Sequence, residues 1–362
     1  MATEARQYPE GAQQVLTPDE ANGEPGDLDP HLMRSMYETM LLARAVDERM
    51  WQMNRMGQAP FAVSGQGHEA AQGGMAAALD MSKDWLAPYY RDVTLSIAFG
   101  LTPTDILLAQ LSRADDPTSG GRQMPNHFSA RDRRILSGSS VIATQIPHAT
   151  GIAFASKARG EDAVTVTCFG EGATSEGDFH EAMNFATIYD LPVIFLCQNN
   201  EYAISVPTRL QMGVERVADR ALGYGMPGVR VDGLDAVEVY QVARTAVARA
   251  RAGEGPTLIE AMVRRFNPHS SDDDDSTYRP EEELTHLRDN GPLRTTGERL
   301  RELGFIDDEW EQETLAKIRQ QVNDATQAAE DAPLPEPETY TKHVYAEVGN
   351  RQEARGKRET AH

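Results

Sequence analysis

The 362-residue sequence predicts an α/β protein: a doubly wound, mostly parallel sheet flanked by helices, with an N-terminal arm before it and a helical C-terminal region after it. Three observations carry this. Short apolar runs recur at 163–169 (AVTVTCF), 193–197 (VIFLC), 228–233 (GVRVDG) and 257–263 (TLIEAMV), lengths that suit strands buried on both faces. Segments of helical period lie between them, at 178–190 and 237–252. Glycine or asparagine pairs stand where the first two runs end, and a βαβ succession makes consecutive strands parallel with right-handed crossovers.

Residues 1–30 are polar and acidic, and read as a flexible arm. They lack the apolar or basic character of a signal or transit peptide, so a cytoplasmic protein is expected. A helical pattern over 31–56 follows, then a glycine turn and a second helix beginning near His68-Glu69-Ala70-Ala71. The α/β core spans about residues 85–265, and amphipathic charged helices run from roughly 280 to 330. Residues 31–330 therefore form one domain, with about 300 residues to bury a core. Pro333, Pro335 and Pro337 break the last helix and open a polar tail over 331–362.

With 35 basic and 56 acidic residues the formal charge is −21, which argues against nucleic acid and anionic membrane surfaces as partners. No apolar run approaches the roughly 20 residues needed to cross a bilayer. Cys168 and Cys197 each end an apolar strand and read as buried thiols in a reducing compartment.

The most informative stretch is 169–202, FGEGATSEGDFHEAMNFATIYDLPVIFLCQNNEY. The chain turns at Gly170 and Gly172; a helix follows with Asp178 in or near its cap and Phe179, Ala182, Met183, Phe185, Ala186 and Tyr189 on one side. Leu191-Pro192 ends it. Ligands of parallel sheets collect beyond the carboxyl ends of the strands, where Glu171 and Asn200 both fall. A carboxylate, an amide oxygen and a backbone carbonyl are hard donors suited to Mg²⁺, with diphosphate and water completing its shell. A phosphate loop of the Walker type would need Gly-Lys-Ser/Thr, and no lysine lies near. A dinucleotide fingerprint would want glycine where Ser175 stands, and a plain glycine turn between core elements would need no ligand at all.

Gly170-Glu171-Gly172 followed by Asn199-Asn200 resembles the thiamine diphosphate motif, usually written GDG and NN, with glutamate here for aspartate. GEGATSEGD together with NNEYAIS resembles the α subunit of the two-chain 2-oxoacid dehydrogenases, the decarboxylating first component, and is most similar to the branched-chain type. The resemblance covers about residues 32–345. It implies the thiamine diphosphate-binding fold, with Mg²⁺ held by Glu171, Asn200 and Tyr202 and the cofactor contacted by Gly170, Glu171, Gly172, Ala173, Asn200 and Tyr202. Pro88-Tyr89-Tyr90-Arg91-Asp92 resembles the family segment whose tyrosine and arginine reach the diphosphate, so Tyr90 and Arg91 join that set. Arginine suits this task through its planar fork of donors.

In Ser139-Ser140-Val141-Ile142-Ala143-Thr144-Gln145 the resemblance makes Ser140 and Ile142 cofactor contacts. It also makes Ser139, Thr144 and Gln145 a potassium site, although a serine-rich cap on a helix starting near Ala143 explains the same residues without an ion. His269, in Asn267-Pro268-His269-Ser270-Ser271, matches a histidine that lies beside the cofactor and handles the substrate carboxylate or a proton. Ser270 matches a phosphorylation position of animal relatives. The acidic run Asp272 to Asp275 lacks the pattern of a calcium loop and reads as solvated. His127, in the loop beginning Gly121-Arg122, reads as a structural hydrogen-bonder.

Phe61 and Ile142 match residues lining the acyl pocket of the branched-chain relatives, though both also read as ordinary core residues. In this family the glutamate that activates the cofactor's pyrimidine ring belongs to a separate β subunit. The resemblance therefore implies an α₂β₂ heterotetramer, a small 2-oxoacid as substrate and a lipoyl acyltransferase component as acceptor. The α subunit of a pyruvate or acetoin dehydrogenase is the alternative reading, and a scaffold without activity is a third. Glu171, Asn200, Arg91 and His269 argue against the scaffold.

Overall fold

The computed structural model describes residues 15–16, 28–280, 290–342 and 344. Within the expected arm, Val15–Leu16 form a short strand, β1. Helix α1 (Pro30–Arg55) starts where Asp29 accepts a hydrogen bond from His31 N at 2.9 Å and Pro30 fills its first turn. It buries a stripe of Met33, Met36, Met40, Val46, Met50 and Met53, spaced three or four residues apart apart from one longer step. Next come α2 (Glu69–Ala77), β2 (Trp85–Ala87), α3 (Val93–Ala98), α4 (Pro103–Gln110), α5 (Gln145–Arg159) and β3 (Thr165–Phe169). They are followed by α6 (Gly177–Ile188), β4 (Val193–Asn199), the β5–β6 hairpin (Tyr202–Ala203 and Val206–Pro207) and the single turn α7 (Thr208–Gln211). The chain then forms β7 (Gly228–Asp232), α8 (Ala236–Arg251), β8 (Thr257–Met262), α9 (Pro292–Glu302) and α10 (Asp308–Asp331). The expected helical stretch at 281–289 and most of the C-terminal tail lie outside the described residues.

Six strands form one sheet in the order β1-β7-β8-β4-β3-β2, every pair parallel. Strand β8 is inserted between β4 and β7, and because all the strands are parallel the carboxyl ends of β2, β3, β4 and β8 share one edge. The side chains of β4 alternate between two cores. Val193, Phe195 and Cys197 enter the layer of α5 and α6, while Ile194 and Leu196 face the layer of α1, α2 and α8. This is the expected doubly wound arrangement, and both cysteines are buried, unpaired thiols.

Two local readings change. The cap of α6 is Glu176, without a side-chain cap bond, and Asp178 lies inside the first turn, where its charge suits the helix dipole. Of the six apolar residues assigned to one side of α6, Phe179, Ala182, Met183 and Ala186 are buried, whereas Phe185 and Tyr189 are exposed beside Phe154 of α5. The sheet accepts only the central stripe of the helix. Between α2 and α8 the backbones meet at Gly74, where a Cβ would stand 2.5 Å from the Ala236 carbonyl oxygen and 2.7 Å from Val239 Cβ. Gly74→Ala should force α2 and α8 apart and cost about 1–3 kcal/mol of stability. Urea unfolding checks this, and an unchanged midpoint would show that the contact relaxes without cost.

Candidate active site

Strand β3 delivers Phe169 to the sheet edge, and Gly170 leads into a 3₁₀ turn over Glu171–Ser175. Gly172 lies against the β5–β6 hairpin, where a Cβ would approach Ala203 Cβ to 2.8 Å. A Cβ on Gly170 would meet nothing within 4 Å, and that residue lines the cleft. Beyond β4, Asn199 Nδ2 is tied to the buried Glu260 of β8 at 2.7 Å. Its neighbour Asn200 accepts from Tyr202 N through Oδ1 at 3.2 Å.

These turns, the Tyr89–Arg91 segment after β2 and His269 after β8 enclose a cleft of about 260 Å³. Among the expected residues, Tyr90, Arg91, Ser139, Ile142, Gln145, Gly170, Glu171, Gly172, Ala173, Asn200, Tyr202 and His269 line it. Ser140, Thr144 and Phe61 are not in the lining. Ser140 is exposed and hydrogen-bonds His127 Nε2, whose Nδ1 faces the Met124 carbonyl at 3.0 Å, the structural role expected of that histidine. Phe61 is half-buried, and its carbonyl accepts from Gln110 Nε2 at 2.8 Å. Helix α5 starts at Gln145, and its cap Thr144 makes no side-chain cap bond, so the serine-rich cap is not formed. Ser139 Oγ instead accepts from Val141 N, and Gln145 Nε2 donates to the Cys168 carbonyl.

The charges of the cleft are few and buried. Glu171 Oε2 accepts from Asn200 N at 3.2 Å, while Oε1 is buried without a partner. Burial, partly offset by backbone N–H groups and by Arg265 and Arg91, lifts this carboxyl to about 7. A divalent cation would satisfy the unpartnered oxygen and restore full ionisation. Opposite, Arg91 is 1% exposed; Nη1 donates to the Ser64 carbonyl at 2.6 Å, and Nη2 contacts His269 Nδ1 at 3.1 Å and the His269 carbonyl at 2.9 Å. Of its five N–H groups these use three, leaving one on Nη1 and one on Nε, which point in different directions, so that each can donate singly to an anion.

Arginine can only donate, so His269 Nδ1 is the acceptor and the neutral ring carries its proton on Nε2. Burial, reinforced by Arg91 and Arg265, pulls this histidine down to about 4, which keeps it neutral at pH 7. The loop that carries it is fastened by Asp273, which accepts from His269 N at 2.7 Å and from the Tyr278 hydroxyl. The acidic run is therefore divided: Asp273 and the buried Asp275 fasten the loop, and Asp272 and Asp274 face solvent. Among the described residues no group of three His, Cys, Asp or Glu could hold a metal, so a cation here depends on Glu171 with amide and carbonyl oxygens.

Sequence reasoning missed the buried polar layer beneath the cleft, formed by His68, Gln72, Asp92 and Gln198. Its signal was present as polar residues flanking the motif positions, with Asp92 after Arg91 and Gln198 before Asn199-Asn200.

Residues 37–338 match the family model described as the dehydrogenase E1 component. The chain is 53% identical over 311 residues to the 2-oxoisovalerate dehydrogenase subunit alpha of Bacillus subtilis, covering 86% of this chain and 94% of that protein. It is 38% identical over 322 residues to the 3-methyl-2-oxobutanoate dehydrogenase subunit alpha of Mycobacterium tuberculosis, covering 89% and 85%. With the human mitochondrial 2-oxoisovalerate dehydrogenase subunit alpha it shares 36% identity over 340 residues, covering 92% and 74%. The motifs around Glu171 and Asn200 thus led to the right family, and the chain belongs to the dehydrogenase E1 component family.

Proposed function

We propose that this chain is the α subunit of a branched-chain 2-oxoacid dehydrogenase, which decarboxylates a 2-oxoacid with thiamine diphosphate and passes the acyl group to the lipoyl arm of an acyltransferase. The observation that carries the reading is the pairing, across one cleft, of a buried carboxylate oxygen without a partner on Glu171 with the buried guanidinium of Arg91, whose bonds to Ser64 and His269 leave two N–H groups unused. A Mg²⁺-diphosphate group fits that pair, with the cation toward Glu171, Asn200 and the Tyr202 carbonyl and phosphate oxygens toward Arg91 and Tyr90. When bound, thiamine diphosphate supplies the electron sink for decarboxylation.

The chain's own residues then act as follows. Gly170 leaves the floor of the cleft open, and Ala173 and Ile142 give it apolar walls. His269, fixed as a neutral ring by Arg91, offers Nε2–H as a donor for a substrate carboxylate or a proton-transfer oxygen. Ser140 and a potassium ion on Ser139, Thr144 and Gln145 belong to the same proposal, with Gln145 already joining that segment to β3.

A cleft of about 260 Å³ is smaller than the ~300–1,000 Å³ usual for a site that encloses a whole ligand of this size. Val141, Ile142 and Ile204 at its mouth are apolar and exposed. Both features support a β subunit that covers the mouth and completes the site in an α₂β₂ assembly. The apolar mouth also supports a branched acyl group, with Ile142 as the wall; Phe61 would act from outside the lining. No helix among the described residues is long and apolar enough to cross a membrane.

The reading is tested by assaying 2-oxoisovalerate, 4-methyl-2-oxopentanoate and pyruvate with and without the β chain. We expect no turnover by the α chain alone. For the assembly we expect kcat/KM for 2-oxoisovalerate to exceed that for pyruvate by tens to thousands, since each methylene is worth about 1–3 kcal/mol, and Ile142→Ala to narrow the gap. A preference for pyruvate would favour the pyruvate dehydrogenase alternative. Glu171→Ala should abolish Mg²⁺-dependent cofactor binding measured by calorimetry, a loss beyond the roughly 10–100-fold seen for outer ligands. Binding within tenfold of wild type would remove Glu171 from the metal site. His269→Ala should lower single-turnover decarboxylation by about 10²–10⁴-fold with cofactor affinity nearly intact, and an unchanged rate would leave His269 a loop residue.

A further inference from the structure

Beneath the cleft, the amide of Gln198 joins two segments that are distant from it in sequence, 68–72 and 89–92. Its orientation is dictated by chemistry. Nε2 faces Asp92 Oδ1 at 2.6 Å, and a carboxylate oxygen calls for a donor. Oε1 therefore faces the donors His68 Nδ1 at 2.9 Å and Gln72 Nε2 at 3.0 Å, with the Tyr89 hydroxyl at 3.5 Å. Asp92 Oδ2 accepts from Tyr89 N at 2.9 Å. Gln72 Nε2 also donates to the Arg91 carbonyl at 2.9 Å, and its Oε1 accepts from Thr94 N at 3.0 Å. His68, Gln72, Asp92 and Gln198 are each at most 1% exposed.

The position of this layer gives it a consequence for binding. Gln198 stands two residues before Asn200 on β4, and Asp92 is the residue after Arg91. The two walls that must close on one diphosphate–metal group are thus tied to each other through a buried amide–carboxylate bond. We infer that Gln198 and Asp92 are positioning residues, setting the separation between the Arg91 guanidinium and the Glu171–Asn200 side of the cleft. This rests on the reading of the cleft as a diphosphate–metal site. Buried hydrogen bonds of this kind hold geometry because any displacement leaves a polar group unpartnered in a medium that cannot solvate it.

The network makes a reciprocal exchange possible. Asp92→Asn alone sets an amide N–H against either Gln198 Nε2 or Tyr89 N, two donors facing. Gln198→Glu alone sets one carboxylate against another. Together the two substitutions exchange donor and acceptor: the carboxylate at 198 accepts from His68, Gln72 and the amide at 92, whose oxygen accepts from Tyr89 N.

The test uses the full-length chain assembled with its β subunit, titrated calorimetrically with inorganic diphosphate in the presence of Mg²⁺, with thermal midpoints read on the same samples. Each single substitution should weaken binding about 10–100-fold, and the double exchange should return it to within about threefold of wild type. The inference is overturned if the single variants bind as wild type does, if they shift only the thermal midpoint, or if the double exchange folds or binds no better than the singles. A wild type that fails to bind diphosphate would overturn the cradle reading itself, an outcome distinct from the other three.

Discussion

A guanidinium sealed inside a protein without a carboxylate beside it is the constraint around which this molecule is arranged. Arg91 makes its three bonds to the Ser64 carbonyl and to His269, all neutral acceptors. A buried charge of this kind is costly unless an anion accompanies it. Across the cleft Glu171 poses the converse problem, a buried carboxyl with one oxygen lacking a donor. Neither group suits a purely structural site, and the metal-bound diphosphate proposed above would meet both of their demands. The loops after β2, β3, β4 and β8 can meet there because every strand of the sheet points the same way.

The environment of Arg91 also explains the state of His269. A histidine beside a donor-only side chain must turn a lone pair toward it, and burial beside Arg91 and Arg265 disfavours a second proton. One arginine thus leaves two N–H groups unused and sets the tautomer of the neighbouring ring. The loop bearing His269 is fastened from its other end by Asp273, so an acidic run that reads as surface in one dimension contributes to the order of the site in three. The apolar residues at the mouth, Val141, Ile142 and Ile204, are exposed, and the β subunit proposed above would cover them.

The sequence by itself determined the elements and the motif turns, because both are written in near neighbours. The predicted core strand and helix boundaries fall within two residues of those found. Periodicity selects buried faces, prolines and glycines punctuate them, and the Gly170-Glu171-Gly172 and Asn199-Asn200 spacing carries the cofactor family. Tertiary structure alone decided the strand order, with β8 placed between β4 and β7, and the partners of groups far apart along the chain. It turned Ser140 toward His127, kept Phe61 out of the cleft lining and bound Gln198 to His68 and Asp92. Hydrogen-bond partners more than a hundred residues away leave no local period in a sequence. What selects them is the requirement that each polar group buried by the packing of distant elements find its complement there.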